Sequence, residues 1–417
     1  MVGARAKAAL LLPALLVLAQ FQLFASGNVE QAPAVAQDRA PVGDSAPSAA
    51  TARVTVQYAT GFTVRYFPNY TVVTVTRPWP GARTWYRYVL VERGAPVPVA
   101  ASVAAAADTA PNELAQKGVS IRTELIRVPI RSVVTMSTTF LTPIQELGEL
   151  ATLRGHDQTR WIYSPQVRKL VSEGKVRDVG NGSTLNTELI LALKPDAMFV
   201  NEYSGEGDSY ATVRRANVPL VVLGDWDEET PLGSAEWIKF ISLFYNRERE
   251  ANSIFNRIAT EYQDLKARAA ETRSRPTVFS NAPYQGQWTV PGGRSYAARL
   301  FSDAGAHYVW ADNDSTGNLF LDFESVFNRA HNADFWLNPG TWSSLKDGLR
   351  IDPRFADFKA FGDDAVYNNN ARENQFGGID YYESGPSHPE RVLADLIKIF
   401  HPEILKRHEF YYYQRLK

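Results

Sequence analysis

The 417-residue sequence contains no cysteine. This absence excludes disulfide bonds, thiolate zinc sites, iron–sulfur clusters and cysteine nucleophiles. The chain also has no surplus of positive charge, because 44 Lys and Arg residues face 45 Asp and Glu residues. A chain with a formal net charge of −1 has few cations to spare for phosphates, so nucleic acid is not an expected partner.

The familiar motifs of catalysis and nucleotide binding are missing as well. There is no Gly-x-Ser-x-Gly elbow, no Gly-x-x-x-x-Gly-Lys phosphate loop and no Gly-x-Gly-x-x-Gly turn. No two histidines are spaced i, i+4, which excludes a helix-borne pair of metal ligands. A site assembled from distant histidines stays open, and His388, which precedes Pro389, is expected to cap a helix. The sequence therefore predicts a protein that is not an enzyme and has no cofactor or metal ligand set.

The N-terminus has the pattern of an export signal. Arg5 and Lys7 precede an apolar run over residues 8–25, and no acid occurs before Glu30. We interpret residues 1–25 as a signal peptide. A retained membrane anchor is the alternative, because about 18 apolar residues nearly span a bilayer.

The end of this run resembles a bacterial lipobox, with Ser26 where the lipidated cysteine belongs. A serine hydroxyl cannot supply the thioether, so we predict a periplasmic or extracytoplasmic protein that cannot be lipid-anchored through Ser26. The chain is then either released after cleavage or a changed version of a lipoprotein. Residues 26–52, rich in Ala, Pro, Gln, Asp and Ser, predict a flexible tether.

The remaining chain predicts an α/β fold. Residues 53–99 are rich in Val, Thr, Tyr and Phe with turn residues between them, which is typical of antiparallel strands. We expect these extra strands to cover one face of the first lobe. Strands and helices then alternate, as in the helix 185–193 and the strand 196–200, which indicates βαβ units and a parallel sheet.

The long stretch 235–271 has apolar residues three or four apart and no Gly or Pro, which predicts a single stiff helix. The second half repeats the strand and helix pattern of the first. We therefore predict two Rossmann-like lobes joined by one long rigid helix: an N-terminal lobe over residues 53–232, a connecting helix over 233–273 and a C-terminal lobe over 274–417.

Arginine and aromatic residues concentrate in the segments predicted to be loops. In α/β lobes such loops face the crevice where ligands bind. Arginine gives bidentate contacts to carboxylate or phosphate, and Trp and Tyr stack on flat apolar groups. Each aromatic residue alone could equally seal a loop onto the core. Taken together on both lobes, they favour a binding cleft.

Five stretches of the sequence follow one another in a recognisable order: Gly180 to Val200, Pro291-Gly292-Gly293-Arg294-Ser295-Tyr296, Ala304-Gly305-Ala306, Phe323-Glu324-Ser325-Val326, and the closing helix to His401-Pro402-Glu403. Their order resembles that in the class III periplasmic substrate-binding proteins of ABC importers for ferric siderophores, haem and cobalamin. The resemblance covers about residues 125–405.

This resemblance implies a monomer that holds a metal chelate between two lobes and delivers it to a dimeric permease in the inner membrane. It implies that Glu188 and Glu324, each in the first turn of a predicted helix, dock onto permease arginines. A glutamate placed to interact with the helix dipole is the alternative interpretation.

The expected ligand is an iron complex, with cobalamin and haem as alternatives. The candidate ligand contacts are Ser137, Thr138, Arg160, Trp161 and Tyr163 on the first lobe, and Tyr284, Trp288, Arg294, Tyr296, Arg372, Tyr381 and Tyr382 on the second. A chelatase-like enzyme is the competing hypothesis, and it would need His307 or His331 beside a carboxylate.

Overall fold

The computed structural model describes residues 53–99, 118–181, 184–202 and 210–417. The predicted signal peptide, Ser26 and the tether therefore lie outside the described residues. The described strands are β1 Phe62–Tyr66, β2 Tyr70–Val75, β3 Thr84–Glu92, β4 Ser120–Val128, β5 Val133–Thr135, β6 Leu153–His156, β7 Arg177–Asp178, β8 Ala197–Val200, β9 Leu220–Val222, β10 Thr277–Ser280, β11 Pro283–Tyr284, β12 Gln287–Pro291, β13 His307–Tyr308, β14 Asn318–Leu321, β15 Phe335–Leu337, β16 Val366–Asn368 and β17 Gln414–Arg415.

Thirteen α-helices lie in the described ranges. They are α1 Leu141–Glu146, α2 Pro165–Ser172, α3 Thr187–Leu193, α4 Ala211–Arg215, α5 Pro231–Ala235, α6 Trp237–Ser242, α7 Glu248–Ala270, α8 Tyr296–Asp303, α9 Phe323–Ala330, α10 Leu345–Ile351, α11 Lys359–Gly362, α12 Asp380–Glu383 and α13 Pro389–Phe400. Short 3₁₀ turns occur at Thr138–Phe140, Leu150–Thr152, Thr159–Trp161, Asp225–Asp227 and Pro353–Asp357.

Two parallel sheets form the two lobes. The first has the strand order β7-β6-β5-β8-β9, and every neighbouring pair in it is parallel. The second has the order β13-β10-β15-β16-β17, with only the edge strand β17 antiparallel. Strands alternating with helices produce this arrangement because the crossovers cover the faces of the sheet. The α/β prediction with two sheets is confirmed.

The segment between the lobes departs from the prediction of one helix over residues 233–273. The stiff helix is α7, with 23 residues, and the two short helices α5 and α6 precede it. Between α6 and α7 the chain turns at Asn246, whose backbone is left-handed with φ 56°. Asparagine tolerates this conformation better than most residues, so the helical pattern is broken without Gly or Pro.

The extra N-terminal strands form a sheet of their own, in the order β1-β2-β3-β4. The antiparallel prediction is confirmed for β1, β2 and β3, whereas β4 pairs with β3 in parallel. The sheet packs on α6, where the Phe62 and Trp237 rings lie 4.8 Å apart. It also meets the edge of the first lobe, because the Val222 N–H donates to the Tyr88 hydroxyl at 2.7 Å. It therefore covers an edge of the lobe at β9 and the start of the connecting segment.

Candidate functional site

Polar and aromatic loops follow the carboxyl ends of strands in both parallel sheets. In the first lobe residues 137–139 follow β5 and residues 157–163 follow β6, and in the second lobe residues 369–372 follow β16. Ligands of open parallel sheets bind outside the carboxyl ends of their strands. These loops are therefore the place to look for a site.

Asn374 joins the second lobe to the loop after β6. Its side-chain amide donates to the carbonyls of Arg160 at 3.0 Å and Ile162 at 2.8 Å. Gly378 lies against the same loop, because a Cβ added there would be 2.3 Å from the Trp161 carbonyl oxygen. Glycine is thus required for the close approach of the two backbones.

Glu383 makes a second connection between the lobes. Its carboxylate accepts the backbone N–H groups of Tyr163 at 2.6 Å and Ser164 at 2.9 Å. The side chain is buried, and burial raises the pKa of Glu383 to about 7 although both N–H bonds act to lower it. A buried carboxylate held by two backbone donors fixes the Tyr163 loop relative to α12.

Two arginines and two tyrosines lie close together and form what we call the arginine–tyrosine cluster: Arg372, Arg391, Tyr163 and Tyr411. The Arg372 guanidinium carbon lies 5.0 Å from the centre of the Tyr163 ring and 4.2 Å from that of Tyr411. Arg391 lies 5.0 Å from the Tyr411 ring and donates to its hydroxyl at 3.3 Å. Arg372 also donates to Asp380 at 2.6 Å. The cluster thus combines side chains from both lobes.

Tyr411 was not among the predicted contacts, because it lies beyond the last predicted helix. Its position depends on Asp395, a fully buried residue of α13 whose carboxylate accepts the N–H groups of Tyr411, Tyr412 and Tyr413 at 2.6–3.0 Å. The pairing of β17 with β16 continues this anchoring. The run of three tyrosines near the C-terminus was the signal that could have pointed to it.

Arg160 and Trp161 lie beside the contact between the lobes, where Asn374 donates to the Arg160 carbonyl. The Arg160 guanidinium is 4.6 Å from the Trp161 ring, and the Trp161 indole N–H donates to Gln158 at 2.8 Å. Arg160 is exposed and Trp161 is half-buried. Both side chains therefore remain accessible at this edge of the first lobe.

The polar turn after β5 packs against α12, which carries two predicted tyrosines. Ser137 accepts from the Thr139 N–H and begins the 3₁₀ turn that contains Thr138. On α12, Tyr382 is exposed, whereas Tyr381 packs edge-on against Tyr412 with the ring centres 5.8 Å apart.

Tyr296, at the start of α8, belongs to the same neighbourhood. Burial, with the nearby Tyr381 and Glu390, raises the pKa of Tyr296 well above its usual value. Tyr296 thus lies near Tyr381, and the turn that contains Thr138 packs against the helix that carries Tyr381 and Tyr382.

The prediction that Trp288 contacts the ligand is wrong. Its ring is fully buried in the second lobe, 5.6 Å from the Trp336 ring, and its indole N–H donates to the Ser280 carbonyl at 3.2 Å. The residue lies on β12, whose pairing with β14 turns the indole into the core. Sequence reasoning missed this because it assigned the segment to a loop.

Tyr284 and Arg294 lie on the surface of the second lobe. Tyr284 is 61% exposed at the β11–β12 hairpin. Arg294 is paired with Asp314 at 2.6 Å, with both side chains largely exposed. Among the described residues, neither makes a hydrogen bond or ion pair with the first lobe, so the structure does not bring them to the arginine–tyrosine cluster.

His388 joins the lobes through two carboxylates. Its Nε2 lies 2.9 Å from Glu146 of α1, and its Nδ1 lies 2.9 Å from Glu390 of α13. Burial acts to lower the pKa of His388, but the two carboxylates more than offset it and raise the pKa to about 9. His388 occupies the N-cap position of α13 as predicted, but its side chain makes no capping hydrogen bond.

The two glutamates predicted to dock are both exposed. Glu188 lies in the first turn of α3 and Glu324 in the first turn of α9. Glu324 pairs with Arg354 at 3.3 Å, with side chains 71% and 51% exposed. Each glutamate is thus accessible to a partner.

The described residues contain no group of three or more His, Asp or Glu side chains that could hold a metal ion. Of the two histidines considered for a chelatase, His331 has its Nδ1 2.9 Å from the Phe327 carbonyl and stacks on the Phe327 ring. His307 is exposed on β13.

Comparison with known proteins identifies the family. The model of the periplasmic binding protein family matches residues 133–372, which is more than half of the chain. The chain therefore belongs to this family, as the order of its motifs predicted. A lipoprotein of Methanocaldococcus jannaschii, described as uncharacterised, is 28% identical over 302 residues, 70% of each chain.

Solved structures agree with this fold. A possible iron-binding, periplasmic solute-binding protein from Staphylococcus epidermidis matches with a TM-score of 0.52 and 16% identity, over 66% of this chain and 99% of its own. The apo haem-binding protein RhuT from Roseiflexus matches with a TM-score of 0.51 and 20% identity, over 66% and 99%. At such low identity these matches establish the two-lobe fold and leave the ligand open.

Within the described residues, no helix has both the length and the apolar character needed to cross a membrane. A second curated relative from M. jannaschii, 28% identical over 309 residues, is also named a lipoprotein. The prediction that this chain is not anchored through Ser26 stays a prediction, as does the signal peptide.

Proposed function

We propose that this protein captures a metal chelate, a ferric siderophore, between its lobes and delivers it to an ABC importer permease. The observation that carries the proposal is the position of Arg372, which lies between Tyr163 of the first lobe and Tyr411 of the second. The protein performs no chemistry on the chelate in this proposal. It works outside the cytoplasmic membrane as a monomer.

The chemistry of the cluster suits a flat, anionic ligand. Arg372 and Arg391 keep 34% and 36% of their side chains exposed, so a ligand can reach part of each guanidinium. Arginine donates in a planar fork to carboxylates and other oxyanions, while tyrosine rings offer apolar faces and hydroxyls. Anionic siderophores and haem propionates share these features, whereas cobalamin would depend mainly on the aromatic faces.

Delivery would use the two exposed glutamates. Glu188 and Glu324 lie in the first turns of helices on different lobes, so together they can set the orientation of the protein on a two-subunit permease. Exposed ion pairs contribute only ~0.2–1 kcal/mol each. The two ion pairs would therefore orient the protein on the permease, and most of the binding free energy would come from other contacts.

The test is quenching of tryptophan fluorescence in the exported protein, titrated with a panel of ferric siderophores, haemin and cyanocobalamin, with correction for ligand absorbance. Trp161 is the local probe, because it lies beside the contact between the lobes. Saturable quenching by one anionic ferric siderophore at sub-micromolar concentration is expected. Trp161→Phe should remove much of the signal and weaken binding only slightly, because phenylalanine keeps an aromatic face at this candidate contact.

Paired arginine variants test the position of the site. Arg372→Ala is expected to weaken binding of an anionic chelate about tenfold or more, because a hydrogen bond to a charged group contributes roughly 1.5–3 kcal/mol. Arg294→Ala is the matched control, since that side chain is exposed and paired with Asp314. Equal affinity in both variants would contradict the proposed site. Saturation by cyanocobalamin or haemin alone would assign the alternative ligand, and no response to any of them would reject the proposal.

A further inference from the structure

A small cavity, with about 10 Å³ of space for a water-sized guest, lies where both lobes meet the connecting segment. Its polar lining comes from three parts of the chain: Thr139 follows β5, Asp225 follows β9, Ser234 is in α5, and Ser387 precedes α13. The rest of the lining is mainly apolar. Four oxygen-bearing side chains in an otherwise apolar cavity could surround a small polar guest.

Asp225 is the unusual member of this lining. Its side chain is only 7% exposed, and its Oδ1 has no hydrogen-bond partner. Burial raises the pKa of Asp225 to about 6, although the Thr139 hydroxyl and the backbone N–H groups of Asp225 and Trp226 act to lower it. A buried carboxylate with an unpartnered oxygen is unfavourable unless something compensates its charge.

Two other buried acidic residues near Asp225 in the sequence have partners for their negative charge. Glu228 accepts the N–H groups of Thr60 and Gly61 and of the Trp237 indole. Glu236 pairs with the buried Lys239 at 2.7 Å.

Asp227, closer still to Asp225, pairs with Arg77 at 3.2 Å. In the part of the chain that the structure describes, no Lys or Arg makes an ion pair with Asp225. Glu228, being negative, disfavours the charged form of Asp225 further. The local field therefore attracts a cation.

We propose that the cavity binds one monovalent cation, sodium, between Asp225 and the hydroxyl oxygens of Thr139, Ser234 and Ser387. One carboxylate with neutral hydroxyls balances a single positive charge, whereas a divalent ion would leave an excess charge buried. Hard cations prefer oxygen ligands, and the cavity has room for a guest of about the size of a water molecule. Because Ser387 belongs to the second lobe, the ion would also hold the lobes together.

The test is the stability of the unliganded protein at pH 8 in sodium, potassium and choline chloride at equal ionic strength. Sodium should lower the unfolding constant about tenfold at ten times its Kd. Asp225→Asn should abolish this sodium dependence while folding normally. Asp227→Asn is the matched control, because it removes a nearby charge outside the cavity lining and should keep the dependence.

High-resolution crystal structures in sodium chloride and in choline chloride locate the ion directly. Density in contact with Asp225 Oδ1 and the hydroxyl oxygens that is present in sodium and lost in choline supports the proposal. Equal stability in all three salts, or the same density with the hydrogen-bond distances of water in both crystals, would overturn it. Neither measurement uses a chelate, so the result is independent of the proposed transport function.

Discussion

Replacing His388 by glutamine should make the stability of the protein much less dependent on pH between about 6.5 and 9. The imidazole lies between Glu146 of the first lobe and Glu390 of the second, both at 2.9 Å. Its side chain is 2% exposed and that of Glu390 1% exposed, so solvent screens the interaction very little. Arg391, 3.7 Å from Glu390, is the other charged group paired with this carboxylate.

The magnitude follows from the change in pKa. The ordinary pKa of 6.5 is raised to about 9 in the folded protein, which corresponds to about 3 kcal/mol of stability. Because the folded pKa is the higher one, this stability is fully present below pH 6.5. It is lost as pH rises towards 9, when the folded protein also releases the proton.

The assay is urea unfolding of the wild type and of His388→Gln at half-unit steps from pH 5.5 to 9.5. At pH 6 the variant is expected to be about 3 kcal/mol less stable, and the difference should shrink towards pH 9. The exposed His307 provides the matched control His307→Gln, which should follow the wild type. A constant difference between wild type and His388→Gln across the whole range would refute the argument.

Three further changes test other parts of the structure. Trp288→Ala should cost about 3–5 kcal/mol of unfolding free energy because it leaves a core cavity, and the variant that still folds should bind ligand with the wild-type affinity, as calorimetry would check. Asp395→Asn should lower the melting temperature and weaken chelate binding together, since it disturbs the anchoring of Tyr411; an unchanged affinity would separate this anchor from the site. Reversing the charges of Glu188 and Glu324 to lysine should abolish uptake by cells carrying the permease, with the Kd for the chelate within about twofold of wild type; normal uptake would contradict the docking role.

The predictions that succeeded depended on local sequence patterns. Apolar periodicity and turn residues are local properties, and they identified the parallel sheets, the antiparallel strands β1 to β3 and the closing helix α13. Loop composition also predicted that Tyr163 and Arg372 line a binding cleft; the structure shows the Arg372 guanidinium 5.0 Å from the centre of the Tyr163 ring, and their role in binding stays a prediction. A left-handed Asn246, in contrast, interrupts a helix without any of the residues that usually signal a break.

The sequence alone determined the two-lobe α/β fold and the family, because the alternation of strands and helices and the order of the motifs can be recognised without coordinates. Only the tertiary structure decided which aromatic residues are buried and which are accessible. Trp288 lies in the core because β12 pairs with β14, and Tyr411 reaches Arg372 because Asp395, 16 residues away in the chain, holds its backbone. The pairing of His388 with Glu146 is likewise a contact between lobes. Such contacts join residues far apart in the chain, and no local periodicity records them.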